Sequence, residues 1–154
     1  MTRKPALGLL FTAAVAAVLS LSSCGTTETI SPANLKVLVR SHKSTYAPGD
    51  TFTGSFTFTN KAVRSIRAQF ASSLQFSVAF YDSVDALRLS YPAVAYQVLT
   101  HLELAPFATR TEHLEFPLAA LAIPPGPLPT GTYRVRAWVE GHEDIYSETT
   151  IEVR

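Results

Sequence analysis

The clearest pattern in the chain is an alternation of apolar and polar residues that follows the turn Pro129-Thr130-Gly131. A period of two among β-branched and aromatic residues predicts a β-strand with one buried face. The inward set is Tyr133, Val135, Ala137 and Val139, and the outward set is Thr132, Arg134, Arg136 and Trp138. Because Tyr133 follows the turn glycine by two positions, it also predicts a tyrosine corner, with a buried ring and a hydroxyl that bonds back to the preceding connection.

Short stretches with the same period occur along most of the chain. We predict strands at 35–40, 51–60, 74–82, 86–91, 98–104, 112–118, 133–139 and 145–153. Turn residues separate these stretches, and after residue 30 only 118–122 suggests a helical turn. The pattern indicates an all-β fold, an antiparallel Ig-like β-sandwich of seven or eight strands. Gly54, on an inward face, predicts a bulge or a close neighbour.

The N-terminus has the pattern of a secretory signal. Two basic residues precede an apolar run, 6–19, which is shorter than the ~20 residues that a membrane-spanning helix needs. The tetrapeptide Leu21-Ser22-Ser23-Cys24 resembles a bacterial lipobox, which implies lipidation of the Cys24 thiol and cleavage before it. The alternative is an ordinary signal peptide that ends near a chance cysteine.

These features divide the chain into three parts. We expect a signal peptide at 1–23, a flexible Thr/Ser-rich tether at 24–33 and the β-sandwich at 34–154. The lipid on Cys24 would anchor the protein in a membrane of the bacterial cell envelope, exposed outside the cytoplasm. Cys24 is the sole cysteine, so no disulfide within the chain can stabilise the sandwich.

Charge and residue types limit the classes of function. Without 1–23, 11 of the 13 basic residues remain against 12 acidic ones, so the net charge is −1 and no nucleic-acid partner is expected. No histidine has a second His or Cys at a metal-ligand spacing, and the turn at 140–144 is too short for a calcium loop. Asp82 and Asp85 are interpreted as turn residues. No Gly-x-Ser-x-Gly motif or phosphate loop occurs. We therefore expect no metal, no cofactor and no enzymatic activity.

The outward face of the closing hairpin is the candidate binding surface. It carries Trp138, Arg134, Arg136 and Tyr146, and exposed Trp, Tyr and Arg are the residue types enriched at binding hot spots. Two registers of the hairpin are possible, one that pairs Arg136 with Glu148 and one that pairs Arg134 with Glu152. The alternative for Trp138 is that a bulge turns it into the core or that a loop covers it.

Five stretches of the chain form a further set of motifs: Phe56-Thr57-Phe58-Thr59-Asn60, residues 70–78, Arg88-Leu89-Ser90-Tyr91, Leu102-Glu103-Leu104-Ala105-Pro106 and residues 129–135. Together they resemble the motifs of the BsuPI-type intracellular proteinase inhibitor family, whose members are small bacterial Ig-like sandwiches. The chain departs from the family pattern at Asp85-Ala86, at Phe107 and at Phe116, where Asp-Gly, Gly and Trp are usual. The resemblance implies the fold and proteinase inhibition, but it maps no reactive-site residue onto this chain.

The sequence thus favours a lipid-anchored module that binds another protein. The resemblance implies a protease as that partner, and the exposed loop would be 93–97 or the proline-rich 118–129. The alternative is a structural or assembly subunit of the envelope without inhibitory activity. Such a subunit should have an apolar outward face or an open sheet edge. The sequence does not specify an oligomeric state.

Overall fold

The computed structural model describes residues 27–154, so the predicted signal peptide and Cys24 lie outside the described residues. The first six strands are β1 Glu28–Thr29, β2 Leu35–Ser41, β3 Thr45–Tyr46, β4 Thr51–Asn60, β5 Ile66–Phe70 and β6 Phe76–Tyr81. The later elements are β7 Leu87–Tyr91, β8 Thr100–Leu104, β9 Thr109–Pro117, α1 Leu118–Leu121, β10 Gly131–Val139 and β11 His142–Val153.

Two sheets form the sandwich. One has the order β3-β11-β10-β6-β7 and the other the order β2-β4-β9, and all of their pairs are antiparallel except β3 with β11. The hairpin β10-β11 joins consecutive strands, whereas the pair β10-β6 places non-consecutive strands side by side, as Ig-like sandwiches do. The predicted all-β, Ig-like sandwich is therefore confirmed.

Aromatic side chains from both sheets fill the core. Phe52 on β4 is fully buried, stacks on Phe116 of β9 at 5.1 Å between ring centroids and meets Phe80 of β6 edge-on at 5.2 Å. Phe56 and Phe58 continue this face of β4 and are also fully buried. Large aromatic rings in edge-to-face and offset contacts contribute much of the burial that holds two sheets together.

The tyrosine corner predicted at Tyr133 is present. The ring is 3% exposed, and the hydroxyl donates a hydrogen bond of 2.7 Å to the carbonyl of Pro129. Burial raises the pKa of the Tyr133 hydroxyl above its ordinary value. This bond ties the start of β10 to the connection that crosses from β9, and it fixes the strand on which the candidate face lies.

Gly54 meets the close neighbour that its inward position predicted. A Cβ there would lie 2.5 Å from the Arg40 carbonyl oxygen and 2.9 Å from the Phe52 ring. The register of β4 with β2 and with β9 runs through Gly54 without a shift, so no bulge forms at this position.

A third, small sheet closes one end of the sandwich, and its central strand was not predicted from the sequence. Its order is β1-β5-β8. It buries Ile66, Ala68 and Phe70 of β5 together with Leu102 and Leu104 of β8. We call this end, where β1 lies and β4 finishes at Asn60, the basal end.

The described part of the predicted tether 24–33 packs on the domain. Glu28–Thr29 pairs in parallel with Ile66 and Arg67 of β5, and Ile30 is 4% exposed. Pairing and burial of these few residues stabilise the segment against the basal end, so the ordered domain begins before residue 34.

Some predicted strand ends differ from the structure. Strand β6 begins at Phe76, and Leu74 lies outside it and is half-buried. Strand β8 begins at Thr100, and Leu99 before it is 70% exposed. Strand β9 ends at Pro117, because Leu118 begins the short helix α1 and is buried there. The apolar residues at these strand ends therefore do not all belong to the strands.

Candidate binding face

Three adjacent strands bring the predicted surface residues together. Trp138 on β10 lies opposite Tyr146 on β11 and opposite Ser77 on β6. Arg136, two positions before Trp138 on β10, occupies the same outward face. Arg134, two positions before Arg136, lies on this face opposite Tyr81 of β6. The sheet face thus combines the four predicted residues with Tyr81, which the sequence did not indicate. We call these five side chains the Trp138 face.

Two arginine–tyrosine stacks order this face. The guanidinium carbon of Arg136 lies 3.9 Å from the centroid of the Tyr146 ring, and that of Arg134 lies 5.1 Å from the centroid of Tyr81. Each exposed stack of this kind contributes about 0.5–1 kcal/mol. The stacks also hold two long, flexible side chains flat against the sheet, which lowers the entropy that a partner must remove on binding.

The hairpin adopts one of the two predicted registers, and its ion pair runs diagonally. Arg136 lies opposite Glu148 in the ladder, but the Glu148 carboxylate accepts its hydrogen bond from Arg134 at 3.3 Å. Arg134 donates a second bond, of 2.8 Å, to Asp85. Arg136 instead donates to the backbone carbonyl of Glu143 at 3.2 Å. Such exposed pairs contribute ~0.2–1 kcal/mol, so they orient the arginines more than they stabilise the fold.

Trp138 stays on the outward face and is half-buried. The register of β10 with β11 shifts directly after it, between Trp138 and Val139, so the bulge does not turn the indole into the core. Trp138, Tyr81, Arg136 and Glu143 line a shallow depression of about 240 Å³. The sole tryptophan therefore forms a wall of an open surface site.

Polar contacts support the Trp138 face from one side. Ser77, opposite Trp138, is 7% exposed, and its hydroxyl donates a hydrogen bond to the carboxylate of Glu140 at the hairpin turn. Tyr146 on the other side is 49% exposed. The Trp138 face is thus held by the hydrogen bond of the buried Ser77 on the β6 side and is exposed to solvent on the β11 side.

The acidic turn between β6 and β7 has a structural role, as predicted for Asp82 and Asp85. One carboxylate oxygen of Asp82 accepts hydrogen bonds from the N–H groups of Val84 and Ala86, each of 3.0 Å. The other accepts a bond of 2.7 Å from Arg88, which lowers the pKa of the Asp82 carboxyl. Asp85 adopts a left-handed conformation, with φ of 60°, that Asp tolerates in turns. These contacts hold Asp85 beside Arg134.

Two other features are absent from the described part of the chain. Within residues 27–154, no three His, Cys, Asp or Glu side chains come together in a way that could hold a metal ion. The same residues contain no helix that is long and apolar enough to cross a membrane.

The two loops expected to reach a protease differ in exposure. The loop predicted at 93–97 extends to residue 99, because β8 begins at Thr100, and we call it the 93–99 loop. It exposes Tyr96 by 71% and Leu99 by 70%. Its backbone is held at Tyr96, which donates to the Ser73 hydroxyl at 3.0 Å and accepts from the Ser73 N–H at 2.9 Å. In the proline-rich connection 118–129, by contrast, Leu118 and Leu128 are buried. The 93–99 loop is thus the more accessible of the two.

Comparisons with known proteins do not assign this chain to a family. No protein-family model matches the sequence, and no curated protein matches it.

Several solved structures share a similar arrangement of strands at low sequence identity. The CARDB domain of a Pyrococcus furiosus protein, solved in complex with di-metal ions, is 14% identical with a TM-score of 0.44, and the match covers 79% of this chain and 88% of that one. The sporulation control protein Spo0M from Bacillus subtilis is 15% identical with a TM-score of 0.43, over 78% of this chain and 48% of that one. A β-glucosidase from Erythrobacter marinus is 11% identical with a TM-score of 0.49, over 78% of this chain but 15% of that one. Similarities at this level carry no information on function.

Proposed function

We propose that this protein is a binding module of the bacterial cell envelope, anchored by lipid on Cys24, that holds another protein against its Trp138 face. The observation that carries the proposal is the arrangement of Trp138, two tyrosines and two arginines on adjacent positions of three strands. Trp, Tyr and Arg are the residues that most often dominate binding energy at protein interfaces.

The chemistry of the Trp138 face suggests what the partner presents. Arg136, stacked on Tyr146, also lines the depression beside Trp138, and a guanidinium group can bind a carboxylate or stack on an aromatic ring. The depression of about 240 Å³ beside it has room for one side chain of the partner. We therefore expect a protein surface that inserts an apolar or aromatic residue beside Trp138 and places a carboxylate over Arg136.

The lipid anchor is supported by the sequence alone. Cys24 follows a signal-like apolar run and Leu21-Ser22-Ser23, and it is the sole cysteine. Cys24→Ala should leave the precursor uncleaved or release the protein into the soluble fraction. If this variant still fractionates with membranes and has the mature mass of the wild type, the protein has no lipid on Cys24.

A second candidate function is proteinase inhibition, which the resemblance to the BsuPI-type family implies. The favouring observation is the 93–99 loop, where exposed Val94, Tyr96 and Leu99 project from a backbone that Ser73 holds in place. Inhibitors need such a loop because a preformed conformation lowers the entropic cost of occupying a protease cleft. A panel of extracellular serine proteinases, assayed with wild type and with Tyr96→Ala, tests this function.

One capture experiment separates these functions from a purely structural subunit. Wild-type protein, Trp138→Ala and Tyr96→Ala would each be incubated with envelope extract, crosslinked, purified and analysed by mass spectrometry. Partners that Trp138→Ala loses and Tyr96→Ala keeps support the Trp138 face. The reverse pattern supports the 93–99 loop. If all three forms capture the same partners, or if none captures any, neither the Trp138 face nor the 93–99 loop is a binding site, and a structural subunit is favoured.

A further inference from the structure

Two loops meet at the basal end, and Asn60 joins them. The side-chain amide of Asn60 donates hydrogen bonds of 2.8 Å to the carbonyl of Arg64 and of 2.9 Å to the carbonyl of Ala105. Asn60 itself is 1% exposed. The loops 61–65 and 105–108 are therefore fixed side by side by one buried residue.

Each loop exposes one large apolar side chain. Val63 in the first loop is 77% exposed, and Phe107 in the second is 65% exposed. Phe107 also has φ of 60°, in the left-handed region that bulky residues rarely adopt. Glycine would adopt this conformation without strain, and the exposed ring adds little to the core. The fold alone therefore does not account for a phenylalanine at this position.

The described chain also begins at this end. The N–H of Glu28 donates a hydrogen bond of 2.9 Å to the carbonyl of Ser65, the last residue of the first loop. Thr27 is only three residues after Cys24. Three residues span at most ~11 Å even when fully extended. A lipid on Cys24 would thus keep Thr27, which lies next to the first loop, within about that distance of the bilayer.

The charges of the loops suit a phospholipid surface. Their sequences contain Lys61 and Arg64 and no acidic residue. Arg64 is 58% exposed although Glu28 lies 3.6 Å away. An acidic segment at 140–144, the hairpin turn together with the start of β11, lies at the same end, where Asp144 and Lys61 line a common cavity. We therefore expect the domain to be tilted so that the two loops contact the bilayer and the acidic segment stays away from it.

We propose that Val63 and Phe107 form a membrane-contacting tip, which inserts into the interfacial layer of the bilayer that holds the lipid of Cys24 while Lys61 and Arg64 contact lipid phosphates. This inference rests on the lipid anchor of the proposed function. The anchor fixes the domain to the membrane, and the tip fixes its orientation. Insertion of apolar side chains beside basic ones is how interfacial segments bind bilayers. With the tip inserted, the sandwich stands on its basal end, and the Trp138 face on its flank remains accessible to a partner.

The test uses the full lipidated protein in vesicles of phosphatidylcholine and phosphatidylglycerol. Because Cys24 would carry the lipid, Val63→Cys would add the sole free thiol, which can be labelled with an environment-sensitive fluorophore. The matched control is Val84→Cys, since Val84 is 78% exposed in the turn between β6 and β7, at the opposite end of the five-stranded sheet. We expect a blue-shifted emission that headgroup-labelled quencher lipids reduce several-fold more at 63 than at 84. Equal quenching at the two positions, or none, overturns the tip.

The mass of the purified protein separates the tip from the anchor, because it shows whether Cys24 carries lipid. If Cys24 carries no lipid, the anchor and the tip both fail. If Cys24 carries lipid and the label at position 63 stays unquenched, only the tip fails.

Two further measurements test the tip itself. Phe107→Gly, combined with the label at position 63, should fold normally and lose most of the quenching. A label at 63 that responds to envelope proteins but not to vesicles would assign the loops to a protein partner and overturn the inference.

Discussion

The loss of the Asn60 side chain should destabilise the basal end more than any ordinary surface substitution. Its amide nitrogen lies 2.8 Å from the Arg64 carbonyl, 2.9 Å from that of Ala105 and 3.1 Å from that of Leu104. Its oxygen accepts a bond of 2.8 Å from the Ala62 N–H. Two amide protons serve three carbonyls, so the side chain makes the equivalent of about three hydrogen bonds. At ~0.5–1.5 kcal/mol each, Asn60→Ala should cost ~2–4 kcal/mol.

Equilibrium unfolding in urea, followed by the fluorescence of Trp138, measures this cost. Asn34→Ala is the matched control. The Asn34 side chain likewise bonds to the backbone, accepting from the Ser31 N–H and donating to the Thr29 carbonyl, but it is partly exposed. Water can replace those bonds, so the control should cost ~1 kcal/mol or less. If the two variants lose the same stability, the buried amide does not join the two loops as the structure suggests.

A carboxylate at position 60 provides a second test, through the pH dependence of the free energy of unfolding. Asn60→Asp keeps the oxygen that accepts from Ala62 but faces three carbonyl oxygens with a negative charge. The folded-state pKa of that carboxyl should therefore rise above its unfolded value. Stability should be highest in acid and fall as the pH rises through the raised folded-state pKa. A variant that is equally stable at pH 4 and pH 7 would contradict this arrangement.

Substitutions at three further positions test other parts of the structure by the same unfolding measurement. Tyr133→Phe should cost about one buried hydrogen bond, roughly 0.5–1.5 kcal/mol, and Tyr133→Ala ~3–5 kcal/mol, whereas a neutral Phe variant would exclude the tyrosine corner. Gly54→Ala should cost ~1–3 kcal/mol, because its Cβ would meet the Arg40 carbonyl at 2.5 Å, and a neutral result would place β2 further from β4. Arg88 lowers the pKa of Asp82, so the stability from this pair should be present above the ordinary carboxyl pKa of 3.8 and be lost as the pH falls through the lower folded value. Asp82→Asn should remove that part of the acid dependence, and an unchanged acid profile would contradict the pairing.

The sequence predicted those elements in which one face is buried over many residues. In β4, every second residue from Phe52 to Phe58 is buried, so the period of two is unbroken and the strand bounds were correct. The tyrosine corner was predictable for a similar reason, since Tyr133 follows a turn glycine directly. Strand β5 alternates as well, but it has only five residues and pairs only within the small basal sheet. Its pattern was present and too short to be distinguished from a loop.

The candidate face was predictable only along one hairpin. Arg134, Arg136 and Trp138 share a face with Tyr146 because β10 and β11 are consecutive, and the alternation therefore placed all four. Tyr81 was missed because its place beside Arg134 depends on the pairing of β6 with β10, which are separated by about 50 residues. The apolar tip could not be foreseen either, because exposure of a loop residue has no period.

The affinity of the captured partner for Trp138→Ala tests the central claim most directly. Titration of that partner with wild type and with the variant would give the two dissociation constants. Urea unfolding followed by circular dichroism would confirm that the variant is folded, because Trp138→Ala removes the sole tryptophan. Because the indole is half-buried on the outward face and not in the core, we expect stability to fall by only ~1–2 kcal/mol. Binding should weaken by ~2 kcal/mol or more, about 30-fold. A partner that binds Trp138→Ala and Arg136→Ala as tightly as the wild type would contradict a binding role for this face.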